Sequence, residues 1–228
     1  MVAIVKREMF QSREKLFIDR TLVSNMVMSV QREWEDMTGA SLWLTSYIFL
    51  LRLPSEALPA CKGSPDNPAF SHKQTLIWKE GDAICLRLLR RKNRPQGSGT
   101  MRRGCTCRGS DHMCAVHGLW GKFWEHQVEG SQPWLGINPA QARSRLRQLL
   151  SRFKVPKAEK YGTHDFRRGH AEDMRKSGCT LAEILRAGQW KSAAFLSYLD
   201  EADMDKVHKP VHDCYTDHGY CVLVGHGI

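Results

Sequence analysis

At 228 residues, with 42% hydrophobic and 25% charged positions, the chain has the composition of an ordinary globular protein, which excludes a fibrous or disordered class. That length fits one large domain, or one domain with a short extra arm. Thirty-four Lys and Arg against 24 Asp and Glu leave a net charge of +10; a surplus of that size favours a polyanionic partner such as nucleic acid, the plain alternative being a solvated basic surface.

The N-terminus, MVAIVKREMF, carries charges where a signal peptide needs an apolar run. Leu16, Phe17, Leu22, Val23, Met26 and Val30 follow at spacings that allow an amphipathic helix. Ser41 is placed to cap a helix through Leu42, Trp43, Tyr47, Ile48 and Leu51. The same stretch, Leu42 to Leu53, is the most apolar in the chain, yet it is too short to span a bilayer and holds Arg52. An intracellular protein without membrane contact is expected, in the nucleus of a eukaryote or the cytoplasm of a prokaryote. Its eight Cys are then thiols or metal ligands rather than disulfides.

CKGSPDNPAF reads as a loop from its Gly, Pro and Asn. QTLIWKEGDAICLRLLRRK predicts two strands around a Lys79-Glu80-Gly81-Asp82 turn, and RPQGSGT leads toward a third. From Leu86 to Arg108 there are eight basic residues (Arg87, Arg90, Arg91, Lys92, Arg94, Arg102, Arg103, Arg108) and no acid. His112 to Gln132 shows no clear period. Asn138-Pro139 starts a helix that runs to about Phe153. This helix and the residues after it form a second acid-free stretch, with Arg143, Arg145, Arg147, Arg152, Lys154 and Lys157. A helix from about Asp165 to Ser177 is closed by Gly178, Thr180 and Glu183 form a capping box for the next, and a last helix carries Ala193 to Tyr198. The expected class is mixed α+β, mainly helical, with a small antiparallel sheet.

The chemistry-bearing segment runs from Gly162 to Asp200. His164 and Arg167 stand one helical turn apart at a helix entrance, and Trp190 and Tyr198 lie near the next two helix ends. An Arg fork holds two phosphate oxygens at once, and a neighbouring His bonds a third oxygen or moves a proton. A Tyr, with its ordinary pKa near 10, needs cationic surroundings to attack. These residue types together suit phosphoryl transfer.

His164-Asp-Phe-Arg167, then Gly178, Gly188-Gln-Trp190 and Tyr198, resemble the C-terminal signature of the tyrosine recombinase (phage integrase) family. Leu50-Leu-Arg52-Leu-Pro-Ser-Glu56 is similar to the motif bearing that family's first catalytic Arg, on a helix before the sheet, and Lys92 to its β-turn lysine. The resemblance covers about residues 40 to 200. It implies the recombinase catalytic fold over 41–205, a helical arm or clamp-domain remnant over 1–40, and a tail over 206–228. It further implies that Tyr198 attacks a scissile phosphate to form a 3′-phosphotyrosyl bond. Arg52 and Arg167 would neutralise the nonbridging oxygens, Lys92 would protonate the leaving 5′ oxygen, and His164 and Trp190 would hold the phosphate. No cofactor is required for that catalysis, the partner is double-stranded DNA, and a tetramer on DNA from a mobile element is expected. Arg87, Arg90, Arg91, Arg94, Arg143, Arg145 and Arg147 are the expected DNA-binding residues. Tyr198 follows Trp190 by eight residues where many family members show nine, and Glu56 follows Arg52 by four where three is common. Two alternatives stand beside the site-specific recombinase: a recombinase-derived DNA-binding protein without turnover, and a type IB topoisomerase-like enzyme that relaxes DNA.

Cys105-Thr-Cys107 and Cys114-Ala-Val-His117 form a C-x-C-x6-C-x2-H array within 104–118. Such thiolate and imidazole donors suit a structural zinc, the alternative being reduced thiols in a loop packed on the sheet. His212, Cys214, His218 and Cys221 form a looser set near the end of the chain.

Overall fold

The computed structural model describes residues 15–29, 34–91, 97–105, 107 and 111–190. The expectations placed on Lys92, Arg94, Arg108, the last helix, Tyr198 and the His212–Cys221 set lie outside the described residues.

Helix α1 (Arg20–Ser29) and helix α2 (Trp34–Ile48) open the described chain. Ser41 sits inside α2 rather than at its N-terminus, and its hydroxyl donates back to Thr38 O at 2.9 Å. From Ala40 to Ile48 every residue of the helix is buried, so this half of α2 runs through the core. A short π-helical turn, Leu53–Ala57, follows. Arg52 is its N-cap, with extended backbone at φ −80° and ψ 113°. The expected helical placement of Arg52 is thus corrected to a cap position; Pro54, lacking an N–H, fits this turn's entrance.

The sheet holds β1 (Ala60–Lys62), β2 (Thr75–Glu80), β3 (Ala83–Leu88) and β4 (Met101–Gly104), in that spatial order. The hairpin forms as expected: Glu80 pairs with Ala83 around Gly81-Asp82, and Gly81 takes φ +59°, which a tight two-residue turn requires. β4 pairs antiparallel with β3. The sheet is mixed rather than antiparallel, because β1 runs parallel to β2. Three residues inside a loop-like sequence carry no strand period of their own; pairing with the edge of β2 makes them a strand.

Residues 112–132 contain a ten-residue π-helix, Ala115–Trp124. Its amides bond five residues back, Leu119 N to Cys114 O and Glu125 N to Trp120 O, both at 2.9 Å. That wider turn explains the missing 3.6-residue period. Helix α3 (Pro139–Arg152) has the Asn138 cap with a full capping box. Helix α4 (Asp165–Lys176) ends before Gly178 at φ +83°, and helix α5 (Leu181–Gly188) has the Thr180–Glu183 capping box.

A main core joins α1, α2, the sheet, the π-helix, α3 and the start of α4. Trp43 stacks on Phe166 with ring centroids 5.4 Å apart, and Trp124 meets Trp134 edge-on at 5.3 Å. α1 enters this core through Val23, Met26 and Val27. The chain before α1 approaches α4 closely at Gly169, where a Cβ would lie 1.9 Å from Ile18 O. Behind them Tyr47 stacks on His170 and donates its hydroxyl to Asp173 Oδ2 at 2.7 Å. A smaller cluster of Leu50, Ala171, Met174, Ile184 and Ala187 packs α5 onto α4. Among the described residues no helix is long and apolar enough to cross a membrane.

Candidate functional site

The motif residues converge on Glu56, whose side chain is 2% exposed. The π-helical turn after Arg52 folds Glu56 back so that its Oε2 accepts the Arg52 N–H at 2.8 Å. Arg91, three residues beyond the end of β3, donates its Nε–H to Glu56 Oε1 at 2.9 Å and an Nη2–H to Oε2 at 3.3 Å. Arg167, from the first turn of α4, lies 3.5 Å from Oε2, and Arg52 Nη1 lies 3.5 Å from Oε1. Among the described residues, three guanidiniums around one carboxylate leave a local charge of +2 (three minus one).

Burial grades this cluster. The Arg167 and Arg91 side chains are 1% and 4% exposed, whereas that of Arg52 is 17% exposed. Arg167 donates to Leu50 O at 2.7 Å and to Gly188 O at 2.8 Å, and its guanidinium carbon sits 4.3 Å from the centre of the Trp190 ring. This is a cation–π stack in a desolvated position. Both carbonyls come from unusual backbone. Leu50 has φ +48°, and Gln189, next to Gly188, has φ +52°. A left-handed Leu costs about 1–2 kcal/mol, and such strain persists where surrounding contacts over-determine it. Gly188 is required here because a Cβ would lie 1.7 Å from the Trp190 ring folded back over it. Gln189 closes the set, accepting from Arg91 Nη1 at 3.2 Å and donating to Gly99 O at 3.1 Å.

His164, the N-cap of α4, is exposed at the edge of this cluster. Partial burial of its ring and the positive charges of Arg52, Arg168 and Arg167 hold its pKa below the usual histidine value, with Glu56 opposing. The imidazole is therefore neutral at pH 7 and presents one donor and one acceptor. An open groove of about 950 Å³ adjoins Arg52, lined also by Ser55, Glu56, Gln74, Arg90 and Arg91.

Of the expected catalytic set, the fold brings Arg52, His164, Arg167 and Trp190 together. Arg167 was expected to face phosphate but is enclosed by protein carbonyls and Trp190. Among the expected DNA contacts, Arg87, Arg90, Arg143 and Arg145 are exposed and Arg147 is half-buried, donating to Tyr161 O at 2.9 Å. Arg91 is not a surface residue; it belongs to the buried cluster. Sequence reasoning noticed Glu56 only for its spacing and missed it as the hub. A lone acid between two apolar runs, four residues after an Arg, was the available signal.

Cys105, Cys107, Cys114 and His117 also meet. Their ligand atoms all lie within 4.8 Å of one another, so the group is able to hold a structural metal. Cys105 follows β4, and Cys114 caps the π-helix whose first turn holds His117. Burial, and the crowding of the Cys107 and Cys114 thiols, push Cys105 up to about 11. The loop before Cys114 is anchored to α1: Arg20 pairs with Asp111 at 2.9 Å, and Ser24 Oγ lies 2.6 Å from His112 Nε2.

No protein-family model matches the chain, and no curated protein matches it in sequence. Among solved structures, it is similar to the integrase of the transposon Tn1549 in complex with circular intermediate DNA, at 10% identity and a TM-score of 0.45. The match covers 86% of this chain, which spans only 64% of that chain's length.

Proposed function

We propose that this protein is a DNA strand transferase of the tyrosine recombinase type, and that the Glu56 cluster is the core of its phosphate site. The observation that carries this reading is the convergence of Arg52, Arg91 and Arg167, from three distant segments, on one buried carboxylate, with Arg52 and His164 at the solvent edge. Among the described residues three guanidiniums meet one carboxylate, and an excess of positive charge beside a groove attracts an anion.

In this reading Arg52 and the neutral His164 bind the nonbridging oxygens of a scissile phosphate. Arg167 and Arg91 act from behind, supplying positive potential and holding Glu56, which in turn fixes Arg52. Trp190 packs over Arg167 and holds its guanidinium in place. Tyr198 Oη gives up its proton to solvent and attacks phosphorus, the 5′ oxygen leaves with a proton from Lys92, and a 3′-phosphotyrosyl diester remains. A 5′-hydroxyl then attacks that diester, restores the backbone and releases the tyrosine. The diester keeps the energy of the broken bond, so the exchange needs no nucleotide. Duplex DNA is gripped through Arg87 and Arg90 on the sheet side and Arg143, Arg145 and Arg147 on α3, with four chains acting on two duplexes.

The enclosure of Arg167 favours a second reading, a DNA-binding protein of the same descent without turnover. Covalent capture separates the two. Wild type, Tyr198→Phe and Arg52→Gln are incubated with a pool of nicked duplexes, denatured and resolved on a gel. A protein–DNA adduct in wild type, absent in Tyr198→Phe and reduced at least about 100-fold in Arg52→Gln, is expected. DNA binding without an adduct in any of the three establishes the second reading. An adduct that turns over supercoiled DNA to relaxed product without strand exchange identifies a topoisomerase instead.

A further inference from the structure

The Cys105–His117 cluster lies outside the phosphate site, and its donor atoms lie close to the spacing of a tetrahedral coordination shell. With zinc–sulfur bonds of about 2.3 Å and zinc–nitrogen bonds of about 2.0 Å, a regular tetrahedron has S···S edges near 3.8 Å and S···N edges near 3.5 Å. In this chain Cys105 Sγ lies 3.6 Å from Cys107 Sγ and 3.8 Å from Cys114 Sγ. His117 Nδ1 lies 3.4, 3.1 and 3.7 Å from the sulfurs of Cys105, Cys107 and Cys114. Each of these five separations falls within about 0.5 Å of a tetrahedral edge, and all four ligand atoms lie within 4.8 Å of one another. Three thiols and an imidazole that merely filled space would have no reason to bring their four donor atoms within 4.8 Å of one another.

We propose that Cys105, Cys107 and Cys114, through Sγ, and His117, through Nδ1, hold a structural Zn²⁺ that staples the end of β4 to the start of the π-helix Ala115–Trp124. Three soft thiolates and one imidazole select zinc over hard cations, and four protein ligands leave no open position for catalysis. The staple has a target. Arg103, two residues before Cys105, donates to Ile48 O at 3.2 Å and to Ala187 O at 3.3 Å, so it ties the end of α2 to the end of α5. Those two segments carry Leu50 and Gly188, the carbonyl acceptors of Arg167. The metal therefore positions the backbone that holds the arginine cluster, from a distance and without touching it. The fold is built around this path: a Cβ on Gly118 would lie 2.0 Å from His112 O, so only glycine lets the loop before Cys114 lie against the first turn of the π-helix. This inference does not depend on the strand-transfer chemistry proposed above.

The test uses the full chain, purified without chelator. Elemental analysis should give one zinc per chain, and exchange for Co²⁺ should give the intense red-region bands and thiolate charge transfer of a tetrahedral site with three sulfur ligands and one nitrogen. Cys105→Ser/Cys107→Ser should lose both. His117→Cys should keep the metal with a shifted cobalt spectrum, which guards against the double variant simply failing to fold. Cys214→Ser/Cys221→Ser should change neither, excluding the C-terminal set. A folded, metal-free wild type without a tetrahedral cobalt spectrum overturns the site, as does retention of zinc by Cys105→Ser/Cys107→Ser. Removing zinc should raise amide exchange about tenfold in Met101–Gly104 and also in Ala187, Gly188 and Trp190. Unchanged exchange in the latter three overturns the positioning role.

Discussion

Replacing Glu56 by Gln tests whether one carboxylate organises the site. The change is isosteric, so no cavity forms. What it removes is the one negative charge that the three guanidiniums share, raising the local charge from +2 to +3, and it turns an amide N–H₂ toward an arginine donor. Glu56, Arg91 and Arg167 have side chains 2%, 4% and 1% exposed, so water cannot take the place of the carboxylate. Breaking such a buried pair costs about 3–5 kcal/mol. At about 2–4 °C per kcal/mol for a chain of this size, the melting temperature should fall by about 6–20 °C. Glu56→Gln/Arg91→Gln brings the local charge back to +2, so the double variant should be more stable than the sum of the single changes predicts. The assay is a double-mutant cycle by urea denaturation on wild type, both single variants and the double. A coupling of at least about 1.5 kcal/mol is expected. Additivity within about 0.5 kcal/mol would mean that Glu56 and Arg91 do not sense each other, and would refute the hub.

Three further outcomes follow from the geometry. Gly188→Ala places a methyl 1.7 Å from the Trp190 ring; the ring must leave Arg167, and DNA cleavage should fall while binding to duplex DNA, measured by anisotropy, changes little. His170 is buried, and desolvation draws its pKa down to about 3. Its neutral form is the folded one, so its contribution is intact above the unfolded value near 6.5 and weakens as pH falls toward 3, by up to about tenfold in the folding constant per pH unit. Asp173 opposes this in part, because burial raises it to about 6 and its contribution is lost as pH rises through that value. Stability measured by denaturant titration across about pH 4–7 should therefore flatten at the acid end in His170→Gln; an unaltered acid slope would show that His170 is protonated or exposed in the folded protein. Finally, Arg143→Gln/Arg145→Gln should reduce the salt slope of nonspecific DNA binding by about 0.9 for each phosphate no longer neutralised, and an unchanged slope would remove α3 from the DNA surface.

Local physics made much of this chain legible in advance. The Gly81 turn, the Asn138 and Thr180 caps and the Gly178 stop are decided by residues within a few positions of each other, so the hairpin and helices α3, α4 and α5 could be read directly. The π-helix could not, because its five-residue bonds spread the apolar positions over a period that amphipathic reading does not test. β1 could not either, since Ala60, Cys61 and Lys62 become a strand only through pairing with β2.

The same division runs through the sites. Sequence by itself determined the net positive charge, the presence of Arg52, His164, Arg167 and Trp190 in order, and a thiol–imidazole array close enough along the chain to meet. Only the tertiary structure decided which arginine faces solvent. Arg52 and Arg90 stay at the groove, while Arg91 and Arg167, indistinguishable from them in sequence, are drawn inward by Glu56 and by the carbonyls of Leu50 and Gly188. The physical reason is that a guanidinium enters the interior only where acceptors wait for it. Those acceptors come from segments far apart in the chain, Leu50 and Arg167 being 117 residues apart, and no local pattern can report a contact made over that distance.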